Sequence, residues 1–420
     1  MPKTEAASGT LSRGSAANAS KNVAVVGGSA AGLLTASVLA RQGVGVRVFE
    51  RIETLEPAER TLIVTNRMRA LLGRAAEGSI VNEIRRFELF TDGRSATFEL
   101  KQPDLIIERR ALIQGLAEEA RRAGAGLELG RRFQALHSNG RGLVLEVERC
   151  TDGSSEEIHA DTIIGGDGAA SRVARAAGWA PLDTVPLVQA IVPLPKDMAP
   201  DTARVWFVPQ DTPYFYWLIP ESPQRGVLGL IGIDGQRTRS SLQRFMEKRH
   251  FQPQGFQGAR IPVYQGWVPI ERKIAHGRVY LVGDAAAQVK VTTFGGVVTG
   301  FRGALGVSER ILTRGFSPEL RALRRELDLH MLIRRSIHGF RQADYSRLVD
   351  WMNDGMRRSL SRVSRDQAAR VLWHVCRNQP RLLWMGLRGL LLRAPDSPEA
   401  EDSSVAPVRP APFCYPKVKE

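Results

Sequence analysis

Cysteine is scarce in this chain. Only Cys150, Cys376 and Cys414 occur in 420 residues, and their spacing fits neither a CxxC pair nor a metal site. The first 21 residues lack the apolar core of a secretory signal. No stretch reaches the roughly 18 uninterrupted apolar residues that a membrane span needs. We therefore expect a cytoplasmic protein without a metal site, with a disordered leader at residues 1–21.

Acidic residues are in deficit. Lys and Arg number 59 against 44 Asp and Glu, which gives a net charge of +15. No basic run is interleaved with aromatic residues in the manner of a nucleic-acid groove, so nucleic acid is not expected as a partner. The positive surface would instead attract anionic lipid or an acidic carrier protein.

Patterns of catalytic side chains are missing as well. No His/Asp pair and no paired carboxylates stand at a diagnostic spacing, so hydrolase chemistry has no support. His276 and His374 are interpreted as surface or packed side chains because nothing nearby marks a partner. No catalytic residue is assigned from the sequence.

A glycine-rich turn follows the first apolar run. Residues 23–26 are typical of a buried parallel strand, and the turn GGSAAG comes directly after it and before a helix. Gly27 permits the tight turn, Gly32 permits close helix packing, and Ser29 replaces the central glycine. Glu50 ends the next strand, where it would bind a ribose hydroxyl unless it is only a surface residue. The residues predicted to line this dinucleotide site are Gly27, Ser29, Ala31, Gly32, Glu50 and Arg51.

Two further aspartates follow buried strands. Asp167 stands in IIGGDG and Asp284 in LVGDAA, both at the sheet edge where α/β folds bind ligands. The three motifs in this order resemble the FAD-dependent p-hydroxybenzoate-hydroxylase-like superfamily, over residues 23 to about 310. The resemblance implies FAD as cofactor, with Asp284 on its ribityl chain and Arg109 steadying the flavin region. It also implies that Asp167 and Gly168 serve both FAD and a nicotinamide cosubstrate, NADH or NADPH. Otherwise Asp284 would be only a helix cap.

The loop after Asp284 is similar to the flavin loop of the geranylgeranyl reductase branch. It reads GDAAAQVKVTTFGG and ends in Gly295 and Gly296. These glycines would let backbone amides approach the isoalloxazine edge and begin a helix whose positive end stabilises reduced flavin. Lys290 would either offset flavin charge or remain solvated. The segment FYWLIP, which begins at Phe215, matches in part the Tyr-x-Trp-x-Phe-Pro signature of the same branch.

The sequence also departs from that branch. Phe294 and Val291 replace a glycine and a proline of the loop, and Phe215 replaces the signature tyrosine. The cysteine-containing loop that usually follows the first β-α-β unit is absent, and residues 60–67 stand in its place without thiol or metal chemistry.

Reduced flavin supports two kinds of reaction. It passes hydride to an activated double bond, or it reacts with oxygen at C4a and delivers oxygen to a substrate; the pocket is apolar in both cases. We expect first an NAD(P)H-driven monooxygenase acting on a hydrophobic aromatic or prenylated small molecule. The alternatives are a double-bond reductase of the geranylgeranyl reductase type and a flavoprotein that modifies or assists a partner protein. The predicted pocket residues, each of which could instead pack in the interdomain core, are Trp206, Tyr214, Phe215, Tyr216, Trp217 and Phe294.

The predicted fold class is α/β, with a Rossmann-like FAD-binding domain, an inserted β-sheet substrate domain and a helical C-terminal region. The oligomeric state is left open. The predicted boundaries are 22–180 and 269–310 for the FAD-binding domain, 181–268 for the sheet domain, 311–395 for the helical region and 396–420 for a flexible tail.

The end of the helical region, residues 381–393, is mostly apolar and is interrupted by arginines. As a helix it would lie on a membrane surface and deliver a lipophilic substrate. Alternatively it would cap the substrate domain or a dimer interface, as buried apolar helices commonly do.

Overall fold

The computed structural model describes residues 22–140 and 142–391. The predicted leader and tail, Cys414 and the last two residues of the 381–393 stretch lie outside the described residues. The strands, numbered in chain order, are β1 (Asn22–Val26), β2 (Gly45–Glu50), β3 (Thr61–Val64), β4 (Ile80–Thr91), β5 (Arg94–Glu108), β6 (Gly126–Leu129), β7 (Arg131–Ser138), β8 (Leu143–Arg149), β9 (Ser155–Ala160), β10 (Thr162–Gly165), β11 (Thr184–Pro193), β12 (Thr202–Trp206), β13 (Tyr216–Pro220), β14 (Arg225–Ile231), β15 (Gly255–Pro262), β16 (Glu271–Ile274) and β17 (Gly277–Leu281). The helices are α1 (Ala30–Arg41), α2 (Arg67–Leu72), α3 (Arg74–Glu77), α4 (Arg109–Arg122), α5 (Arg172–Ala176), α6 (Gly235–Lys248), α7 (Val297–Thr313), α8 (Pro318–His338), α9 (Gln342–Asp350), α10 (Asp354–Arg362), α11 (Ala368–Asn378) and α12 (Pro380–Leu391).

A mostly parallel sheet forms the Rossmann-like part of the fold. Its order in the described chain is β16-β17-β10-β1-β2-β6, and all of its pairs are parallel except β16 with β17. Strands β1 and β10 are apolar and buried along nearly their whole length, as expected when both faces of a sheet are covered. Helices α1, α4 and α7 and the antiparallel sheet β7-β8-β9 share one hydrophobic core with it. The fold class predicted from the sequence is confirmed.

The second sheet is larger than the predicted insertion. Its order is β15-β11-β14-β13-β12-β4-β5-β3. Residues 181–268 supply β11 to β15, whereas β3, β4 and β5 come from residues 61–108, which the sequence analysis placed in the first part of the FAD-binding domain. The parallel pair of β12 with β4 joins the two sets of strands.

The second sheet curls until its edges meet. Strands β3 and β15 stand at opposite ends of the strand order, yet the backbone N–H of Thr61 donates to the Gln257 side chain at 3.2 Å. Across the same gap the Gln189 amide donates to the Thr61 carbonyl oxygen at 3.1 Å. Gln189 therefore points to the concave face, and its neighbour Ala190 points to the convex face, where α6 packs.

The C-terminal part of the described chain is helical, as predicted. Helix α8 packs against α7, α11 and α12, and α9 and α10 pack against β5. Side chains of β5, α10 and α12, among them Ala96, Met356, Leu382 and Met385, form a shared apolar cluster. Among the helices of residues 22–391, none is long and apolar enough to cross a membrane.

Candidate active site

The glycine-rich turn forms a tight crossing of backbones. Gly27 has a φ of +101°, and a Cβ atom built on it would lie 2.6 Å from the carbonyl oxygen of Gly166. A Cβ on Gly32 would lie 2.5 Å from the carbonyl oxygen of Gly27. Ser29 caps α1, because its Oγ accepts from the Gly32 N–H at 3.2 Å, and the helix therefore begins at Ala30, within the glycine-rich turn. The helix N-terminus thus meets the turn and forms a cradle suited to a phosphate group.

Glu50 is held beside this turn by backbone donors. One carboxylate oxygen accepts from the Gly28 N–H at 2.6 Å and the other from the Ile52 N–H at 3.0 Å. A carboxylate has lone pairs to spare after two such bonds, so a ribose hydroxyl could still donate to it. Arg51 is exposed, and Ala31 is buried inside the first turn of α1.

Asp284 follows β17 on a short 3-10 turn and faces two cations. Its carboxylate makes no hydrogen bond within the described part of the chain. Burial raises the pKa of Asp284, whereas the charges of Arg60 and Arg109 lower it. Burial also lowers the pKa of Arg109, against the opposing effect of Asp284, Glu108 and Glu50. Arg109 therefore lies in the field of both Glu50 and Asp284.

Arg60 is a site residue that the sequence analysis missed. Burial lowers the pKa of Arg60, with a smaller contribution from Arg109, whereas Asp284 raises it. The Nε atom of Arg60 is buried without a hydrogen-bond partner. A half-buried guanidinium whose Nε has no partner, beside a free carboxylate, suits a ligand that carries both phosphates and hydroxyls, as FAD does. Arg60 belongs to no motif, and no signal in the sequence marks it.

The Asp167 carboxylate is engaged by groups of the protein itself. It accepts from the Ser171 hydroxyl at 2.5 Å and from the backbone N–H groups of Arg172 at 2.7 Å and Val173 at 3.1 Å, and so caps α5. Burial raises its pKa, while these hydrogen bonds lower it. The motif meets the glycine-rich turn through its backbone, since a Cβ on Gly27 would lie 2.9 Å from Asp167 Cα. Gly168 follows with a φ of +86°.

A cavity of about 410 Å³ opens beside Asp167 and Ala285. Its lining includes Trp179, Leu182 and Arg260 but none of the six aromatic residues predicted to line the substrate pocket.

The loop between Asp284 and α7 folds back on itself. Lys290 pairs with Gly295 in an isolated bridge, and the Phe294 N–H donates to the Lys290 carbonyl oxygen at 2.6 Å. Phe294 has a φ of +51°, a left-handed conformation that favours glycine. Its ring packs edge-on against Tyr214, with centroids 4.8 Å apart, which helps to hold this conformation. Gly296 then leads directly into α7.

A buried ion pair ties this loop to the C-terminal helices. Lys290 Nζ binds the Asp366 carboxylate, and Asp366 also accepts from the Thr65 hydroxyl. Lys290 and Asp366 are almost completely buried. Burial alone would raise the pKa of Asp366, but the charge and hydrogen bond of Lys290 and the hydrogen bond of Thr65 hold it below its usual value. Lys290 is therefore neither solvated nor unpaired.

A second contact reaches the same loop from α8. The Thr292 hydroxyl lies 2.7 Å from Nδ1 of His330. Burial, reinforced by the charge of Lys290, lowers the pKa of His330 to about 3, so this imidazole is neutral at pH 7. The loop is thus anchored at two points by segments more than 30 residues away in sequence.

The structure divides the six predicted pocket aromatics into two groups. Trp206 and Tyr216 pack with Phe245 of α6 on the convex face of the curled sheet, with ring centroids 5.4 and 4.1 Å from it. Their placement in the pocket is not supported by the structure, because the period-2 alternation of strands turns them away from the flavin loop. The four that pack in one cluster with the loop residue Val289 are Tyr214, Phe215, Trp217 and Phe294.

Tyr214 is supported from behind by Arg334 of α8. The guanidinium carbon lies 4.2 Å from the centre of the Tyr214 ring, and Nη2 donates to the Pro213 carbonyl oxygen at 2.7 Å. Helix α8 therefore reaches both the flavin loop and the aromatic cluster. Within residues 22–140 and 142–391, no group of His, Cys, Asp and Glu side chains could hold a metal ion.

Comparisons with known proteins agree with this cofactor site. A family model described as FAD binding domain matches residues 20–309. Digeranylgeranylglycerophospholipid reductase 1 of Methanopyrus kandleri is 30% identical over 292 residues, which cover 66% of this chain and 76% of that protein. The digeranylgeranylglycerophospholipid reductase of Methanothrix thermoacetophila is 28% identical over 312 residues, 69% of this chain and 76% of that protein.

Solved structures agree in fold. A geranylgeranyl bacteriochlorophyll reductase-like protein of Thermoplasma acidophilum superposes with a TM-score of 0.72 at 18% identity, covering 88% of this chain and 99% of that one. The flavin-dependent monooxygenase PieE, solved with FAD and substrate, gives 0.59 at 17% identity, covering 92% and 78%. The chain belongs to the FAD binding domain family and, within the p-hydroxybenzoate-hydroxylase-like superfamily, to the geranylgeranyl reductase branch.

Proposed function

We propose that this FAD-dependent oxidoreductase reduces carbon–carbon double bonds in the geranylgeranyl chains of a polyprenyl lipid. The observation that carries the proposal is the similarity to reductases of digeranylgeranylglycerophospholipid over about 300 residues. The sequence departures at Phe294 and Val291 lie within the loop, and Phe215 lies immediately before β13.

The monooxygenase expected first from the sequence is wrong. The curated relatives are named as reductases, and the likeness to a flavin-dependent monooxygenase lies in the fold alone. The cofactor motifs could not make this distinction, because oxygen-activating and hydride-transferring flavoproteins bind FAD in the same way.

The surface beside the flavin loop suits an apolar chain. Phe215 and Trp217 are partly exposed beside the loop, and they pack on the buried rings of Tyr214 and Phe294. An isoprenoid chain offers neither charge nor hydrogen-bonding groups, so shape and apolar contact are what can bind it. On the concave face, the Gln189 side-chain nitrogen already donates to the Thr61 carbonyl oxygen and to the Gln257 side chain.

Different residues of this chain would bind different parts of the FAD molecule. The turn at Gly27 and the N-terminus of α1 would bind the pyrophosphate, and Glu50 the ribose. Asp284 and Arg60 would bind the ribityl chain and the phosphate beside it. Bound FAD supplies a hydride from its reduced ring. The loop amides and the N-terminus of α7 would stabilise the negative charge of that reduced ring.

We also propose that NADH or NADPH reduces the flavin. NADH or NADPH was expected from the resemblance of the Asp167-Gly168 motif, but the Asp167 carboxylate is occupied in capping α5. The resemblance alone therefore supports a nicotinamide donor. Experiments should compare NADH, NADPH and dithionite as separate electron sources.

The first test is turnover without oxygen. We expect the FAD-loaded protein, reduced by dithionite, to add one pair of hydrogens for each double bond of digeranylgeranylglycerophospholipid, as read by mass spectrometry. Labelled oxygen in the product of an aerobic reaction, or no reduction of any polyprenyl lipid by fully reduced enzyme, would contradict the proposal.

Adjacent residues of β13 provide a matched pair of variants. Trp217→Leu removes a ring from the loop-facing cluster, and we expect kcat/KM to fall roughly tenfold to a hundredfold. Tyr216→Phe removes hydrogen bonds to Asp211 and to the Ser241 carbonyl on the opposite face, so it should lower the melting temperature while leaving kcat/KM unchanged. Equal effects of the two variants on kcat/KM would contradict the proposal that only the Trp217 face of β13 contacts the substrate.

Asp284→Asn should have opposite effects on the apoprotein and on FAD binding. Because burial raises the pKa of Asp284 when the chain folds, its charge at pH 7 costs folding free energy in the apoprotein. The variant should therefore melt at a higher temperature without FAD and bind FAD more weakly. The stability difference should vanish below about pH 4, where the unfolded carboxyl is itself protonated. The control is Glu157→Gln, which removes an exposed carboxylate. Unchanged FAD affinity in Asp284→Asn would exclude a direct role of Asp284 in FAD binding.

The Lys290–Asp366 pair should behave as a buried ion pair. Asp366→Asn leaves the Lys290 ammonium buried without its counter-ion, which should cost about 3–5 kcal/mol in a denaturant titration. The double variant Lys290→Met, Asp366→Leu removes both charges and should recover most of that loss. If the double variant were as unstable as Asp366→Asn, the loss of stability could not be attributed to the unpaired charge of Lys290.

A further inference from the structure

Helix α12 presents a wide apolar face to solvent. Trp384 is 74% exposed, Leu383 47%, Leu387 44% and Leu390 39%. Positions 383, 387 and 390 follow the helical repeat, so these side chains share one face with Trp384 at its border. Leu382 and Met385 on the other side are buried in the cluster with β5 and α10. The outward face is therefore not a frayed end but the far side of a docked helix.

Helix α11 adds an aromatic residue between two cations. Trp373 is 58% exposed, and the Arg377 guanidinium carbon lies 5.5 Å from the centre of its ring. Arg370, Trp373 and Arg377 are spaced three and four residues apart and so lie on one side of the helix. We call the exposed side chains of Arg370, Trp373, Arg377, Arg381, Leu383, Trp384, Leu387, Arg388 and Leu390 the α11–α12 face.

The charge of this face has one sign. Residues 368–391 contain no aspartate or glutamate but contain Arg370, Arg377, Arg381 and Arg388. All four arginines are exposed, and none forms an ion pair with a described residue. Arg381 and Arg388, seven residues apart, flank the apolar face of α12 along one side. Apolar side chains bordered by free arginines match a surface that offers anionic headgroups above an apolar interior.

The face is attached firmly to the part of the fold that supports the pocket. A Cβ atom on Gly389 would overlap the backbone oxygen of Ser336 in α8, so α12 lies directly on α8. The same helix α8 carries Arg334, which supports Tyr214, and His330, which contacts the flavin loop. Whatever binds the α11–α12 face is therefore held next to the proposed substrate site.

We propose that the α11–α12 face binds the surface of a membrane that contains anionic lipid, and that it brings the pocket to a substrate within the bilayer. The second half of this statement rests on the proposed reductase function; the binding does not. A second copy of the chain fits the face less well, because a two-fold contact would set the four arginines of each copy against those of the other.

The experiment is sedimentation of the full-length, FAD-loaded protein with vesicles that contain no polyprenyl lipid. We expect binding to vesicles of phosphatidylcholine mixed with phosphatidylglycerol, weak binding to phosphatidylcholine alone, and loss of binding as salt is raised. Trp384→Ser with Leu387→Ser should weaken the vesicle affinity at least tenfold. Arg381→Gln with Arg388→Gln should weaken it about fivefold for each arginine.

Matched variants elsewhere control for charge and exposure. Arg121→Gln with Arg122→Gln removes the same charge from the exposed end of α4, and Ile233→Ser removes an apolar side chain that is 69% exposed. Neither should change vesicle binding. The inference is overturned if wild-type protein ignores anionic vesicles or if the α12 variants bind as wild type does. It is also overturned if light scattering shows a lipid-free dimer that Trp384→Ser with Leu387→Ser dissociates.

Activity separates this inference from the proposed function. Reduction of detergent-dispersed lipid by a protein that does not bind vesicles would support the reductase function and contradict the proposal that the α11–α12 face binds a membrane. Vesicle binding by a protein that reduces no polyprenyl lipid would support the membrane-binding face and contradict the reductase function. If both hold, the α12 variants should lose turnover only on vesicle-embedded substrate, with kcat on dispersed substrate unchanged.

Discussion

The close crossing of the chain at Gly27 and Gly166 is the constraint on which the cofactor site depends. No side chain fits at Gly27 or Gly32, so β1, α1 and the end of β10 must meet at backbone distance. Because β1, β10 and β17 are parallel and in direct register, their carboxyl ends lie at the same edge of the sheet. Segments that are more than 100 residues apart thereby deliver the glycine-rich turn, the Asp167 motif and Asp284 to one place.

The flavin loop depends on a different kind of interaction. Val289 and Phe294 pack against the curled sheet and Val291 packs against α8, whereas Lys290 and Thr292 are held by Asp366 and His330. Burying an ion pair adds little net stability, but it penalises any arrangement in which one charge loses its partner. The loop is therefore positioned by segments far along the chain, and the C-terminal helices become part of the site even though they carry none of the cofactor motifs.

Local rules were sufficient for the parts of the fold that depend on neighbouring residues. The strand, turn and helix from Asn22 to Arg41 followed from an apolar run and a glycine-rich turn, whereas the Ser29 cap that starts the helix at Ala30 emerged only from the structure. Local rules could not show that β4 and β5 pair with β12, because that pairing is decided by contacts more than 90 residues apart. They also could not find Arg60, whose role arises only when the fold brings it to Asp284. The choice between oxygen and hydride chemistry was out of reach for the same reason: it depends on the pocket, not on the motifs.

The distribution of charge connects these parts. Many exposed arginines of the two sheets pair with carboxylates, as Arg47 does with Glu128 and Arg86 with Glu99, so they add little net field. The arginines of α11 and α12 have no such partners among residues 22–140 and 142–391, and part of the excess of +15 is concentrated in residues 368–391. A field of one sign at one end of a molecule orients it as it approaches a charged surface. Helix α8 contacts the flavin loop, the aromatic cluster and α12, and so joins the proposed substrate site to the cationic helices. An enzyme that acts on an apolar chain gains from such a connection, because the chain partitions from water into the bilayer.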